Sequence, residues 1–247
     1  MSLVSVIMPA HNADATIAES IESVLNQSFP DFELIICDDG STDNTNAIIK
    51  KYSDIDKRII LIESFMSRGA AETRNLCILK SRFKFICFLD SDDLWEKDKL
   101  ASQVSFMQEN NLAMTHGKYK MFDGGGLNKK IIPPKVISYS DLLRKCDIGC
   151  LTVMLDSEKI DSIRFPNVVK EDYALWLLIM RNGFSSYLYP GCEAYYRRRA
   201  GSVSSSKIKE IKKQLHVLKY VADISFSKRC FYILTYCVNG CIKHFYH

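Results

Sequence analysis

The chain has 247 residues, a net charge of +4, 47% hydrophobic residues and 25% charged ones, an ordinary globular mixture with room for one large domain or two small ones. Its nine cysteines form no Cys-x-x-Cys pair, several sit inside apolar runs, and their number is odd, which excludes a zinc site and a disulfide framework. The amino terminus enters an apolar run with no basic segment before it, so no secretory signal is expected, and a reducing cytoplasm fits.

Leu3–Met8 reads as a first buried strand ended by Pro9, with Pro9-Ala10-His11-Asn12 as a loop. Ile17, Ile21, Val24 and Leu25 recur at helical spacing. Phe32–Cys37 reads as a second strand running into the turn-and-cap cluster Asp38-Asp39-Gly40-Ser41-Thr42-Asp43, which opens a helix to about Tyr52. Ile59–Ile62 is a third strand, Ser67-Arg68-Gly69 a loop, Ala70 to about Ser81 a helix, and Phe85–Leu89 a fourth strand. This alternation predicts a mostly parallel sheet covered on both faces. Beyond Trp95 it weakens. A helix is expected to about Asn110, and a hairpin around Gly124-Gly125-Gly126. Cys150–Leu155 is a further strand, a helix opens at Glu171-Asp172, and short strands follow at Ser186–Tyr189 and Glu193–Tyr196.

The fourth strand ends in Asp90-Ser91-Asp92-Asp93, three carboxylates within four residues. Charges so close repel unless solvent or a cation compensates. A hard divalent ion takes oxygen ligands, often one or two carboxylates plus substrate phosphates, so a metal–diphosphate site is one reading. A solvated turn whose acids cap the next helix is the other. Four loops follow the four strands and converge on one sheet edge, which favours a single ligand site. In it His11 can stack on a base, Asp39 can accept from a base N–H, and Arg74 can meet phosphate.

As an ordered set, these segments resemble family 2 glycosyltransferases. The resemblance rests on Val4 to Asn12, Cys37 to Asp43, Arg74-Asn75 and Phe88 to Trp95. Lys170-Glu171-Asp172-Tyr173 with Trp176, and Tyr196-Arg197 followed by Gly201-Ser202-Val203-Ser204, resemble two later motifs. The resemblance implies a GT-A fold, a Rossmann-like, mostly parallel α/β sheet flanked by helices. It also implies a UDP-sugar donor, Mn²⁺ or Mg²⁺, and inversion at the anomeric carbon. His11 is a departure, since many relatives carry Tyr there.

Transferred by position, Pro9, Ala10, His11, Asn12 and Asp39 would hold the uridine and Arg74 would help hold the nucleotide. Asp90 and Ser91 would lie near the ribose, and Asp92 would ligate the metal. Asp172 would be the general base, with Glu171 as the alternative. Helix-dipole stabilisation is the plainer role for both acids. Arg197 would approach a diphosphate, although a solvated basic turn explains Arg197-Arg198-Arg199 equally well. Gly201–Ser206 is expected as a loop able to close over the donor.

Residues 1–206 are expected to form the transferase domain, with 1–95 as its nucleotide-binding half and 96–206 as its acceptor-binding half. Residues 207–247 form a basic helical tail carrying eight Lys/Arg and two acids, a net +6, against −2 for the rest. Its almost entirely apolar run Phe231–Ile242 is too short to span a bilayer, and with the lysines it suits an interfacial helix. A helix packed on the domain is the alternative. The resulting expectation is a cytoplasmic enzyme peripherally bound to the inner membrane. It would add one hexose or N-acetylhexosamine to a lipid-linked saccharide, undecaprenyl-diphosphate-linked, in O-antigen or capsule synthesis. No nucleic acid partner is expected. A processive synthase is disfavoured by the lack of a Gln-x-x-Arg-Trp motif. A sugar nucleotidyltransferase lacks its Gly-rich, Arg/Lys-bearing first loop here. An inactive adaptor is opposed by the presence of Asp92 and Asp172.

Overall fold

The first strand divides its side chains between two apolar layers, as a pleated strand buried on both faces must. Val4, Val6 and Met8 enter one core and Ile7 the other. The computed structural model describes residues 3–123, 126–198 and 207–245. The chain runs β1 (Val4–Ala10), α1 (Ile17–Leu25), β2 (Phe32–Asp39), α2 (Thr45–Ile55), β3 (Ile59–Ser64), α3 (Ala70–Lys80) and β4 (Phe85–Phe88). Next come β5 (Leu94–Trp95), α4 (Lys99–Glu109), β6 (Met114–His116), β7 (Tyr119–Asp123), β8 (Gly126–Ile131), β9 (Val136–Ile137) and α5 (Tyr139–Arg144). A 3₁₀ turn at Cys150–Thr152 precedes β10 (Met154–Asp156), α6 (Glu171–Arg181), β11 (Ser186–Leu188), β12 (Ala194–Arg197), α7 (Lys207–Tyr220) and α8 (Phe226–Phe245).

The main sheet has the order β3-β2-β1-β4-β10-β6-β11-β9, and a smaller sheet the order β5-β12-β7-β8. β3, β2, β1 and β4 are mutually parallel, and β10 is antiparallel to both β4 and β6. The expected mostly parallel sheet is therefore present, with antiparallel pairing confined to its second half.

Three expectations are corrected. Pro9 does not end β1, since it stays in register with Cys37. Its nitrogen faces the same side as the carbonyl of Ile7, which accepts from Leu89 N. On that side pairing with β4 stops at Ile7, so no ladder bond is lost. β2 runs on through both aspartates, which pair with Glu63 and Ser64. Cys150–Leu155 is not one strand but a 3₁₀ turn followed by β10. The predicted glycine turn at 124–125 and the loop at 201–206 lie outside the described residues, as does Arg199.

α6 is apolar on nearly every side, with Tyr173 to Leu177, Ile179 and Met180 all buried. Phe88, Phe165 and Trp176 form a ring cluster with centroids 5.2–6.1 Å apart. Such pairs each contribute about 0.5–1.5 kcal/mol beyond their area. The cluster joins the end of β4, which carries the acid turn, to α6, which begins with Glu171 and Asp172.

α7, the first helix of the segment read as a tail, packs into this same core. Val217 and Leu218 are fully buried there, and Gln214 Nε2 donates to the buried Tyr173 hydroxyl across 2.8 Å. α8 lays Tyr232 and Ile233 against the core while Phe226, Phe231 and Leu234 stay exposed. Among the described residues no helix is long and apolar enough to cross a membrane.

Candidate active site

The parallel order brings the ends of β1, β2, β3 and β4 to one edge, and side chains staple their loops together. His11 Nδ1 donates to the Asp39 carbonyl at 2.8 Å. Asn12, at φ +46°, receives Thr42 N on its side-chain oxygen at 2.9 Å and donates its own N–H to Ser41 Oγ at 3.0 Å. Its short polar side chain suits this left-handed position. The Asp39 carboxylate accepts from Ser67 Oγ, Arg68 N and Gly69 N at 2.8–2.9 Å. Burial opposes its ionisation, but these bonds outweigh burial and hold its carboxyl below the usual range. The second and third loops approach so closely that a Cβ at Gly40 would lie 3.0 Å from the Met66 and Ser67 backbone.

The stapled loops enclose a cleft of about 270 Å³. Its walls include eight of the predicted residues: Pro9, Ala10, His11, Asp39, Arg74, Asp90, Ser91 and Asp92. Ala70 and Thr73 complete the α3 side, two residues outside the predicted set. Asn12 is absent from the wall because it works between the loops.

A second cavity, of about 400 Å³, adjoins the first and shares Arg74 and Asp90 with it. Glu171 and Asp172 form one side, with Asp93 of the acid turn beside the shared Asp90. Tyr119, Met121, Gly149, Cys150, Leu151 and Tyr196 form the others. Sequence reading proposed none of these six as site residues. The available signal was the alternation of β7 and β12, but nothing local says which face of those strands is covered. A third cavity, of about 420 Å³ around Arg82, Lys84 and Ile160, lies at the amino ends of the strands and contains none of these residues.

Arg74 is the shared wall. One guanidinium nitrogen donates to Asp90 at 2.6 Å and another to Glu171 at 2.8 Å. The group is 4% exposed, lies over the Phe165 ring at 5.2 Å, and its Nε has no hydrogen-bond partner. Burial opposes its charge, but Asp90 and Glu171 keep it cationic. Asp172 is half-buried, and its carboxylate accepts from Tyr173 N at 2.7 Å. Burial raises its pKa, the Tyr173 N–H opposes this, Glu171 and Asp90 add to it, and Arg74 counteracts them. The two acids at the start of α6 are thus unlike: Glu171 is tied to a cation, while Asp172 has a raised affinity for a proton.

Arg197 stands behind the acid turn rather than in either cavity. Strand alternation turns Tyr196 inward and Arg197 outward. Its Nε donates to the Asp92 carbonyl at 2.8 Å, its Nη2 pairs with Glu19 at 2.5 Å, and its backbone N–H reaches Asp93 at 2.9 Å. Asp93 is buried, and burial together with the Asp90 charge raises its pKa well above the usual range. Asp93 is therefore a structural acid of the turn.

Asp90 and Asp92 both line the first cleft, and carboxylate oxygen is the donor type a hard divalent ion takes. Among the described residues no group of three or more His, Cys, Asp or Glu side chains could hold a metal ion. One or two carboxylates completed by diphosphate oxygens is the shell Mg²⁺ or Mn²⁺ accepts, so these residues fit such an ion bound together with a nucleotide.

A parallel nucleotide-type sheet with a two-chambered cleft at its carboxyl edge describes a transferase of GT-A fold. The model of the family described as "Glycosyl transferase family 2" matches residues 5–149, and the chain belongs to that family. It is 42% identical over 244 residues to the UDP-Glc:alpha-D-GlcNAc-diphosphoundecaprenol beta-1,3-glucosyltransferase WfgD of Escherichia coli, covering 98% of this chain and 95% of that one. It is 40% identical, with 98% and 97% covered, to the putative teichuronic acid biosynthesis glycosyltransferase TuaG of Bacillus subtilis. In fold it is similar to residues 1–349 of TarS from S. aureus, crystallised with UDP-GlcNAc. That match has a TM-score of 0.72 and 20% identity, and covers 95% of this chain and 71% of that one.

Proposed function

We propose that the protein transfers a single hexose or N-acetylhexosamine from a UDP-sugar to a saccharide carried on a lipid diphosphate, with inversion, in bacterial surface-polysaccharide synthesis. The observation that carries this reading is the shared Arg74–Asp90 wall. It sets a cleft shaped for a nucleotide directly beside one containing an acid of raised proton affinity. Donor and acceptor classes are supported by what WfgD is named for, and the polysaccharide setting by the teichuronic acid in TuaG's name.

In this reading the first loop and Asp39 hold the uridine, Asp90 and Ser91 lie by the ribose, and Arg74 sets the wall against which the donor sugar rests. Asp92, aided by Asp90, would hold Mn²⁺ or Mg²⁺, whose charge supplies Lewis-acid neutralisation of the leaving diphosphate when bound. Asp172 accepts the proton of the acceptor hydroxyl as that oxygen bonds to the anomeric carbon. The bond from that carbon to the UDP oxygen breaks on the opposite face, which inverts the centre. Glu171 is held by Arg74 and so serves as Asp172's neighbour rather than as the base.

Residues 1–95 with the acid turn form the donor half, and 96–206 most of the acceptor half. α8 supports a peripheral membrane role, since exposed Phe226, Phe231 and Leu234 accompany Lys228 on one helix. The test is a panel of UDP-sugars offered with N-acetylglucosamine and N-acetylgalactosamine alkyl diphosphates. One UDP-sugar should give a β-linked product from an α-linked donor. Retention of configuration, or transfer only from a nucleoside triphosphate, rejects this function.

A further inference from the structure

The second cavity has two chemically opposed sides. The acid side holds Asp90, Asp93, Glu171 and Asp172, with Arg74 as the cation that pairs with Asp90 and Glu171. The facing side is aromatic and comes from the small sheet. β7 and β12 are parallel, with Ala194 opposite Tyr119 and Tyr196 opposite Met121, so these four side chains share a face. The alternate residues are spent elsewhere. Tyr195 donates to Glu96 at 2.7 Å and meets Phe122 edge-on, and Arg197 lies 4.5 Å over Phe122.

Tyr196 is 39% exposed, and its ring lines the cavity. A second ring backs it. The Tyr119 ring meets it at 6.5 Å and 67°, in edge geometry. Tyr119 in turn is seated on Gly149, where an added Cβ would lie 3.1 Å from Tyr119 Cε1. The aromatic wall is therefore two rings deep, with Tyr119 behind Tyr196.

An occupant must present an apolar face to the ring and hydroxyls to the carboxylates. A pyranose does both, because its axial C–H groups line one face and its hydroxyls lie around the edge. A diphosphate does not suit this chamber, where acids outnumber the one cation. We infer that Tyr196, held by Tyr119, is a specificity-determining residue that stacks on the terminal sugar ring of the acceptor while the acceptor's diphosphate stays outside this cavity. The inference rests on the acceptor reading of the site given above.

The test compares Tyr196→Ala, Tyr196→Phe and Tyr196→Trp with the wild type, using N-acetylglucosamine alkyl diphosphate as acceptor and the sugarless alkyl diphosphate as competitor. Losing one buried ring face should raise the acceptor KM by about 10–100-fold in Tyr196→Ala. The donor KM should stay within a few-fold. Phe and Trp should restore the acceptor KM to within a few-fold. The inhibition constant of the sugarless competitor should be unchanged, since it lacks the ring. Equal weakening of the competitor, an unchanged acceptor KM in Tyr196→Ala, or no rescue by Phe overturns the inference. Should the wild type bind UDP-sugar yet transfer to no acceptor, the transfer reading fails separately. The wall is then scored by saturation-transfer NMR with the same sugar-bearing probe. Sugar-ring contacts present in the wild type and lost in Tyr196→Ala support stacking, and their absence from the wild type refutes it.

Discussion

Arg74 donates to Asp90 across 2.6 Å, and that one contact belongs to both chambers of the cleft. Its other guanidinium nitrogen holds Glu171, so a single buried cation aligns the donor side with the start of α6. Arg74→Lys keeps the charge but not the fork, and an ammonium on a flexible stem cannot hold both acids in one plane. The variant should bind UDP within a few-fold and lose about 10²-fold in kcat, the scale of an ångström-sized misplacement. Steady-state kinetics beside a UDP titration check this, and full turnover would dismiss the coupling.

The two acids of α6 should separate in their pH behaviour. Asp172→Asn is expected to lower kcat by about 10²–10⁴ with donor affinity retained. A base of raised pKa is deprotonated only above that pKa, so the acid limb of kcat/KM should lie at higher pH than an ordinary Asp would give. Glu171→Gln removes a charge that raises the Asp172 pKa, so the limb should move to lower pH while activity survives. A dead Glu171→Gln with an active Asp172→Asn reverses the assignment.

Metal dependence is expected to centre on Asp92. EDTA should stop transfer by the wild type, and Mn²⁺ or Mg²⁺ should restore it. Asp92→Ala should need far more metal and lose metal-dependent UDP binding while its circular dichroism stays unchanged. Undiminished transfer in EDTA would remove the ion from the reaction.

α7 should be a stability element. Leu218 is fully buried among core residues, so Leu218→Ala should cost about 2–5 kcal/mol in urea unfolding. Cutting the chain after Ser206 should unfold the domain, whereas Phe231→Ser, on the exposed face of α8, should leave the midpoint nearly unchanged.

That exposed face gives the membrane prediction. The wild type should sediment with anionic vesicles and partly release at high salt, since part of the attraction is screened charge. The double variant Phe231→Ser, Leu234→Ser should stay in solution with its transferase activity on a short-chain acceptor intact. Equal binding by both proteins would place the contact elsewhere.

Much of the first half was legible in the chain. Each strand there is a short apolar run, each helix shows one apolar stripe, and the parallel alternation forces the following loops to one edge. Pro9, His11, Asp39, Arg74 and Asp90 to Asp92 could be named because each sits at a strand end or in a helix's first turns, where local pattern and location coincide. The strand ends at Pro9 and Asp39 were less legible, because whether a backbone N–H needs a partner depends on where the neighbouring strand stops. α7 looked like a basic amphipathic tail, since Val217 and Leu218 differ from interfacial residues only in having Tyr173 and its core neighbours to cover them. The aromatic wall was hidden for a related reason. Tyr119 and Tyr196 lie 77 positions apart in the chain, and only the pairing of β7 with β12 sets them face to edge. Period-two patterning tells which residues share a face, but it does not say what that face looks upon. Here that was decided by the tertiary fold, which sets the small sheet across the cavity from the opening of α6, where Arg74 holds Glu171.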